Sequence, residues 1–282
     1  MSINLKDFLI LTKFTLSFAV TLSAVFSFIL IKQRLSLDII YPLLGVLLLA
    51  LGVSALNQYQ EYIDDAKMTR TKNRPIASGK ISPNEGLAIS LGLILLSYII
   101  IYFSLNYTGI IIFTIVVVLY NFVYTKTKKT TVYAAVYGAV LGVIPPLIGW
   151  LAGGGDITDI RFLAIALFYL VWQIPHFWLL ILKYHKQYEN AGFNTVANTF
   201  GIHRLERITF IWLLLTIICG LFTIALFPIK SNIIFLLIIL LIIYTLYSVF
   251  LLRKQHNYLK VFIAINIYIT FLMLLLSINI LL

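Results

Sequence analysis

The sequence predicts an all-α, polytopic membrane protein, with about nine transmembrane helices around a central cavity that opens to the cytoplasmic side. Three observations carry this reading. First, 61% of the 282 residues are hydrophobic and only 11% are charged, where a soluble domain has about a quarter charged. Second, the apolar residues, mostly Leu, Ile, Val and Phe, come in long unbroken runs. These approach the ~20 residues that carry a helix across ~30 Å of hydrocarbon, and they lack the alternation of an outer-membrane strand. Third, Lys and Arg collect in alternate gaps between the runs, as charges do around membrane spans.

Taken in order, the expected spans are 9–31, 39–57, 87–105, 109–124, 132–152, 162–182, 208–227, 233–251 and 259–281. The first is too long for the apolar core of a signal peptide and has no small-residue cleavage site, so it is read as a true span. The second ends where the first polar cluster begins. Only the turn Asn106–Gly109 separates the third from the fourth. The fifth carries Gly138, Gly142, Pro145, Pro146, Gly149 and Trp150, a set that allows close helix contact or a kink. His176 is the one ionisable residue well inside the sixth. The short Pro228–Asn232 turn and a basic gap at Arg253 and Lys254 divide the last three. Lys13 and Lys260 fall near span ends, where they can snorkel to the interface. No Pro- or Ser-rich linker interrupts the chain, so residues 1–282 form one expected domain.

The basic residues give the orientation. Fifteen lie at the N-terminal end and in the even-numbered connections: Lys6; Lys67, Arg70, Lys72, Arg74 and Lys80; Lys126, Lys128 and Lys129; Lys183, Lys186, Arg204 and Arg207; Arg253 and Lys254. Only Lys32, Arg34, Arg161 and Lys230 occupy the odd ones. This places the N-terminus in the cytoplasm and, after an odd number of spans, the C-terminus outside, in a cytoplasmic (inner) membrane. The net charge of +11 therefore reports topology, and no nucleic-acid motif accompanies it. The single cysteine, Cys219, excludes a disulfide framework and a multi-thiolate metal site. Phosphate loops, dinucleotide fingerprints, nucleophile elbows and zinc-protease motifs are all absent from the sequence.

The two long connections, 58–86 and 183–207, both face the cytoplasm and hold most of the polar chemistry, which places function on that side. Asn57, Glu61 and Asp65 are spaced i, i+4, i+8 and share one helix face. Two carboxylates and an amide oxygen are hard ligands suited to Mg²⁺, which is typically shared with phosphate oxygens. Arg70 and Arg74, again four apart, present planar forks for phosphate. The bland alternative is a solvated helix end with ion pairs. Tyr124 and Lys128 close the fourth span, where interface tyrosines and cytoplasmic lysines are ordinary; their interest is that they share an end with the acidic stripe. Trp172, Pro175 and His176 lie in the sixth span, where Pro175 should bend the helix. Trp172, His176 and Lys183 should share a face toward a cavity, although an intramembrane His equally serves as an interhelical hydrogen bonder.

At these residues the sequence resembles the UbiA-type intramembrane prenyltransferases, and within them the branch that makes haem O. Asn57, Glu61 and Asp65 fall on the family's first Asn/Asp-rich motif, continued by Met68, Arg70, Thr71, Arg74 and Pro75. Tyr124 and Lys128 fall on its Tyr-x-x-x-Lys element. The runs Pro145–Trp150 and Trp172–Trp178 resemble the haem branch. Glu61 stands where the family usually has Asp, Gln187 replaces an Asp that would add a ligand for a second Mg²⁺, and Phe193–Val196 lacks the usual Pro-Met.

The resemblance implies Mg²⁺-dependent transfer of a farnesyl group from farnesyl diphosphate to a vinyl group of haem B. It implies Asn57, Glu61 and Asp65 as metal ligands, and Arg70, Arg74 and Lys128 against the diphosphate. Tyr124 would steady the diphosphate or the cation, with His176 and Trp172 on the haem side. The implied partners are the two substrates and the bilayer, with room for a haem A synthase or oxidase-assembly protein, and no nucleic acid. A prenyltransferase for quinone precursors would keep the acid stripe and Tyr-x-x-x-Lys without needing the Trp172–Trp178 run. A transporter would need ionisable residues at mid-membrane on several spans.

Overall fold

The computed structural model describes residues 4–127, 131, 134–190 and 195–282, of which 134–136, 187–190 and 253–255 are described by backbone alone. The elements are α1 (Leu5–Leu11), α2 (Phe14–Lys32), a 3₁₀ turn (Leu37–Ile39), α3 (Ile40–Lys67), α4 (Pro83–Val117), a π-helical turn (Val118–Tyr124), α5 (Thr125–Thr127), α6 (Ala134–Ala152), α7 (Ile160–Asn190), α8 (Val196–Phe200), α9 (Ile202–Ala225), α10 (Asn232–Gln255) and α11 (Tyr258–Leu281). Among the described residues there is no strand.

Among the described residues seven helices are long and apolar enough to cross a bilayer, where the sequence suggested nine. The difference falls in two places. One helical run, Pro83–Thr127, is 45 residues long and would reach about 68 Å if straight. It turns back instead at Asn106, whose backbone leaves the helix at φ 50°, ψ −138°. Tyr98 and Thr114 hydroxyls therefore meet at 3.0 Å, and Tyr98 packs edge-on against Phe113. The other place is α6, whose apolar stretch Tyr137–Ala152 is shorter than the crossing helices.

Boundaries also shift. The expected first span divides into α1 and α2 at Lys13, which adopts a left-handed conformation with φ 48°. α3 continues past Asn57 to Lys67, so the expected connection 58–86 shrinks to 68–82. That connection ends in a capping box between Ser82 and Glu85, with Pro83 in the first turn of α4, the arrangement that satisfies free N-terminal amides. In α7 the non-helical backbone lies at Tyr184 (φ −114°, ψ 15°) and not at Pro175, which stays within the helix.

Two apolar clusters hold the bundle. One joins α7, α9, α10 and α11 around Phe168, Tyr268 and Leu272, with Trp150 of α6. The other joins α3, α4 and α6 around Leu49, Phe113 and Ile148. Lipid removes the hydrophobic drive between helices, so close backbone approach through small residues matters more. At Gly149 a Cβ would sit 1.8 Å from the Ala24 carbonyl oxygen, which is how α6 seats against α2. Buried hydroxyls such as Thr21, Thr209 and Thr216 donate to carbonyls of their own helices, which satisfies them inside the membrane. Leu91, Leu95, Ile111 and Phe235 are among the many large apolar residues on the outside.

Candidate active site

α3 carries Asn57, Glu61 and Asp65 on one face, and all three are buried. Burial of two carboxylates requires compensating partners, and the chain supplies them from distant segments. Asn57 Nδ2 donates to Glu61 Oε2 at 3.0 Å and to Thr125 Oγ1 at 3.1 Å. Asn57 Oδ1 accepts from Lys13 Nζ at 3.0 Å. Asp65 accepts twice from Arg74 Nη1, at 2.9 and 2.7 Å. Thr71 donates to the Asp65 carbonyl at 3.0 Å, which folds the turn so that Arg74 returns to the helix it has just left.

Arg70 and Arg74 are thus not a helical i, i+4 pair, because α3 stops at Lys67 and Met68 is extended. Arg74 is partly buried on Asp65, while Arg70 is exposed on the turn. Gln58 donates to the carbonyls of Ile10 and Leu11 at 2.8 and 3.1 Å, beside the break that delivers Lys13. Loss of water around the Lys13 ammonium, reinforced by repulsion from Arg74, pushes its pKa down to about 8 against the attraction of Glu61 and Asp65.

The π-helical turn brings the next group. Widened turns of this kind recur at functional sites. Here it aims Asn121 Nδ2 at the Val53 carbonyl (3.1 Å) and Gln60 Oε1 (3.2 Å). The Tyr120 carbonyl accepts both the Thr125 N–H and the Thr125 Oγ1, the latter at 2.9 Å. Tyr124, at its end, stacks on Tyr120 and lies 6.2 Å, centroid to centroid, from Phe177 of α7. Lys128 falls outside the described residues, as does the Gln187 side chain.

Phe177 continues the row to His176, edge to face at 5.6 Å, and His176 lies 4.8 Å from Trp172 and 4.7 Å from Phe262 of α11. Gly138 makes room for it, since a Cβ there would come within 2.5 Å of Phe177 Cε2. His176 Nδ1 is 3.1 Å from Asn266 Oδ1. Among the described residues the buried Trp172 Nε1, Trp178 Nε1 and Gln173 Oε1 have no hydrogen-bond partner, as is also true of Ser27 Oγ, Gln58 Oε1 and Asn121 Oδ1. Lys183, expected on the His176 face, holds its ammonium over the Tyr184 ring at 5.0 Å.

The structure therefore brings together Asn57, Glu61, Asp65 and Arg74 at one pole, and Trp172 and His176 at another, with Tyr124 and Phe177 between them. Among the described residues no three His, Cys, Asp or Glu side chains converge as a metal centre. Asn57, Glu61 and Asp65 nonetheless suit Mg²⁺, which needs few protein oxygens and takes the rest from water and phosphate. Sequence reasoning missed Lys13, Asn121, Thr125 and Asn266. Lys13 and Asn266 had a signal, a charge and an amide within apolar runs, which in a membrane call for a partner.

A helical membrane bundle with a buried, cation-backed carboxylate stripe beside a row of aromatic rings defines a class of intramembrane enzyme equipped for a polyanionic substrate and an electron-poor carbon. The chain belongs to the UbiA prenyltransferase family, whose model matches residues 17–275. It is 35% identical over 182 residues to a protoheme IX farnesyltransferase of Oleidesulfovibrio alaskensis, covering 64% of each chain. It is 31% identical over 209 residues to that of Nitratidesulfovibrio vulgaris, covering 74% of this chain and 73% of the relative. The aligned stretches thus span about two thirds to three quarters of these relatives. The fold is that of a solved digeranylgeranylglyceryl phosphate synthase, with TM-score 0.76, 19% identity and 98% of both chains covered. It is also that of a UbiA homologue from Archaeoglobus fulgidus bound to GPP and Mg²⁺, with TM-score 0.68, 16% identity and coverage of 96% of this chain and 99% of that one.

Proposed function

We propose that this chain transfers the farnesyl group of farnesyl diphosphate to a vinyl group of haem B, forming haem O in a Mg²⁺-dependent reaction. One observation carries the reading: the row Tyr124, Phe177, His176 and Trp172 connects the buried carboxylates to a polar segment of α7. The relatives named protoheme IX farnesyltransferase support the substrates, and the GPP- and Mg²⁺-bound neighbour supports the metal.

Asn57, Glu61 and Asp65 would hold Mg²⁺, which supplies positive charge to the diphosphate when bound. Arg70, the remaining donors of Arg74, and Lys128 spread charge over the departing oxygens. As the farnesyl C1–O bond breaks, the faces of Tyr124 and Phe177 steady the allylic cation, and the apolar helices keep water from quenching it. The vinyl carbon then forms the new C–C bond. Water adds to the resulting cation beside the porphyrin and loses a proton, completing a hydroxyethylfarnesyl group. His176 and Trp172 hold the haem. A haem A synthase or oxidase-assembly partner in the same membrane would receive the product.

The test is the haem recovered from membranes containing the chain, farnesyl diphosphate and Mg²⁺. A mass gain of one farnesyl group plus a hydroxyl is expected, and His176→Ala should lose it while still binding farnesyl diphosphate in a Mg²⁺-dependent way. Prenylation of a hydroxybenzoate with haem B left unchanged would overturn the reading.

A further inference from the structure

We infer that Asn266 of α11 is a positioning residue that fixes the tautomer of His176, keeping the Nε2 lone pair available to the iron of an iron porphyrin. This rests on the reading that His176 serves the haem.

The direction of each hydrogen bond follows from what the atoms can do. Asn266 has one accepting oxygen and one donating nitrogen on its amide. The side-chain atom 2.5 Å from the Phe262 carbonyl oxygen faces a group that only accepts, so it is Nδ2. The other atom, 3.1 Å from His176 Nδ1, is then Oδ1, which also only accepts. Nδ1 must therefore carry the hydrogen. In a neutral imidazole with its proton on Nδ1, Nε2 holds the lone pair. Among the described residues Nε2 has no hydrogen-bond partner.

The same helix also sets the ring plane. Phe262 supplies the carbonyl that orients Asn266, and its own ring lies tilted against His176 at 4.7 Å, as the Trp172 ring does at 4.8 Å. An amide in the apolar run Val261–Met273 is costly unless it is satisfied on both atoms, and here it is. Histidines that ligate metals commonly pass their second N–H to an oxygen, which fixes the ring and raises the basicity of the ligating nitrogen.

The experiment is titration of the purified full chain in nanodiscs with ferric haem B, without farnesyl diphosphate. The readouts are the Soret and charge-transfer bands, haem affinity and the reduction potential of the bound haem. The wild type should show a histidine-ligated spectrum that His176→Ala loses. Asn266→Leu, similar in volume but with no acceptor, should weaken haem binding about tenfold and raise the potential. Asn266→Asp keeps the acceptor and makes it anionic, so it should retain ligation and lower the potential. If both variants match the wild type in affinity, spectrum and potential while His176→Ala does not, Asn266 is only a packing residue and the haem role of His176 survives. If His176→Ala is also unchanged, both readings fail. Should Asn266→Leu not accumulate, Asn266→Asp decides alone, because an unmoved potential overturns the inference.

Discussion

Replacing Arg74 by Met removes the guanidinium nitrogen that lies 2.9 and 2.7 Å from the two oxygens of Asp65. The Asp65 side chain is only 7% exposed and that of Arg74 19%, so the variant strands a carboxylate with little access to water. Breaking a buried pair from one side costs ~3–5 kcal/mol, and the partial exposure of Arg74 argues for the lower end. For a chain of this size about 3 kcal/mol corresponds to a fall of roughly 6–12 °C in the unfolding midpoint. Asp65→Leu strands the better-solvated cation and should cost about 2 kcal/mol. Removing both charges, as in Asp65→Leu with Arg74→Met, is nearly neutral in such pairs. The double variant should therefore be more stable than the sum of the singles by roughly 5 kcal/mol, a coupling well beyond that of independent sites. Thermal unfolding in detergent, followed by tryptophan fluorescence, reads the stability, and haem mass reads the reaction. The double variant, although folded, should be slower by about a hundredfold or more, since losing a metal-ligating carboxylate forfeits several kcal/mol of transition-state charge stabilisation. Additive single costs would refute the ion pair as a coupled unit. A folded double variant with near wild-type turnover would refute Asp65 as a ligand.

Glu61→Asp should keep much of the activity, because it retains a hard anionic oxygen, whereas full chelation of divalent ions should stop the reaction; turnover that persists under chelation removes the metal assignment. Gly138→Val places a Cβ 2.5 Å from Phe177 Cε2, so it should cost about 1–3 kcal/mol by overpacking and slow transfer while diphosphate binding persists. Gly92→Val, at a glycine with nothing within 4 Å, is the matched control, and equal losses at the two positions would remove the role given to Phe177. A reporter fused after Leu282 should lie outside the cytoplasm and one near Lys128 inside; finding both on one side would mean that the crossings number other than nine.

The acidic stripe was legible because its cause is local. Asn57, Glu61 and Asp65 repeat with the helix period, and carboxylates are so scarce in this chain that two on one face stand out. The reversal near Asn106 was equally readable, as a turn between two apolar runs. The arginines misled because i, i+4 spacing describes a helix only while the helix lasts, and α3 ends before them. Nothing in Val118–Tyr124 distinguishes a π-helical turn from the α-helix around it, so the placement of Asn121 and Thr125 emerges only in three dimensions. Lys13 looked like a snorkelling residue because its partner, Asn57, lies 44 residues away. Asn266 acquires meaning only from an imidazole 90 residues earlier in the chain.

The two poles have different birth dates. Lys13, Asn57 and Thr125 complete their hydrogen bonds from the first half of the chain, so the carboxylate end can close once the helical run through Thr127 has been synthesised and inserted. His176 must wait, because the residue that orients its ring lies on α11, 90 residues further along the chain. Assembly in the membrane thus proceeds from the N-terminal segments onward and reaches the imidazole after the carboxylate end. A nascent chain stalled before α11 would carry a settled acidic end and a histidine still free to choose its tautomer.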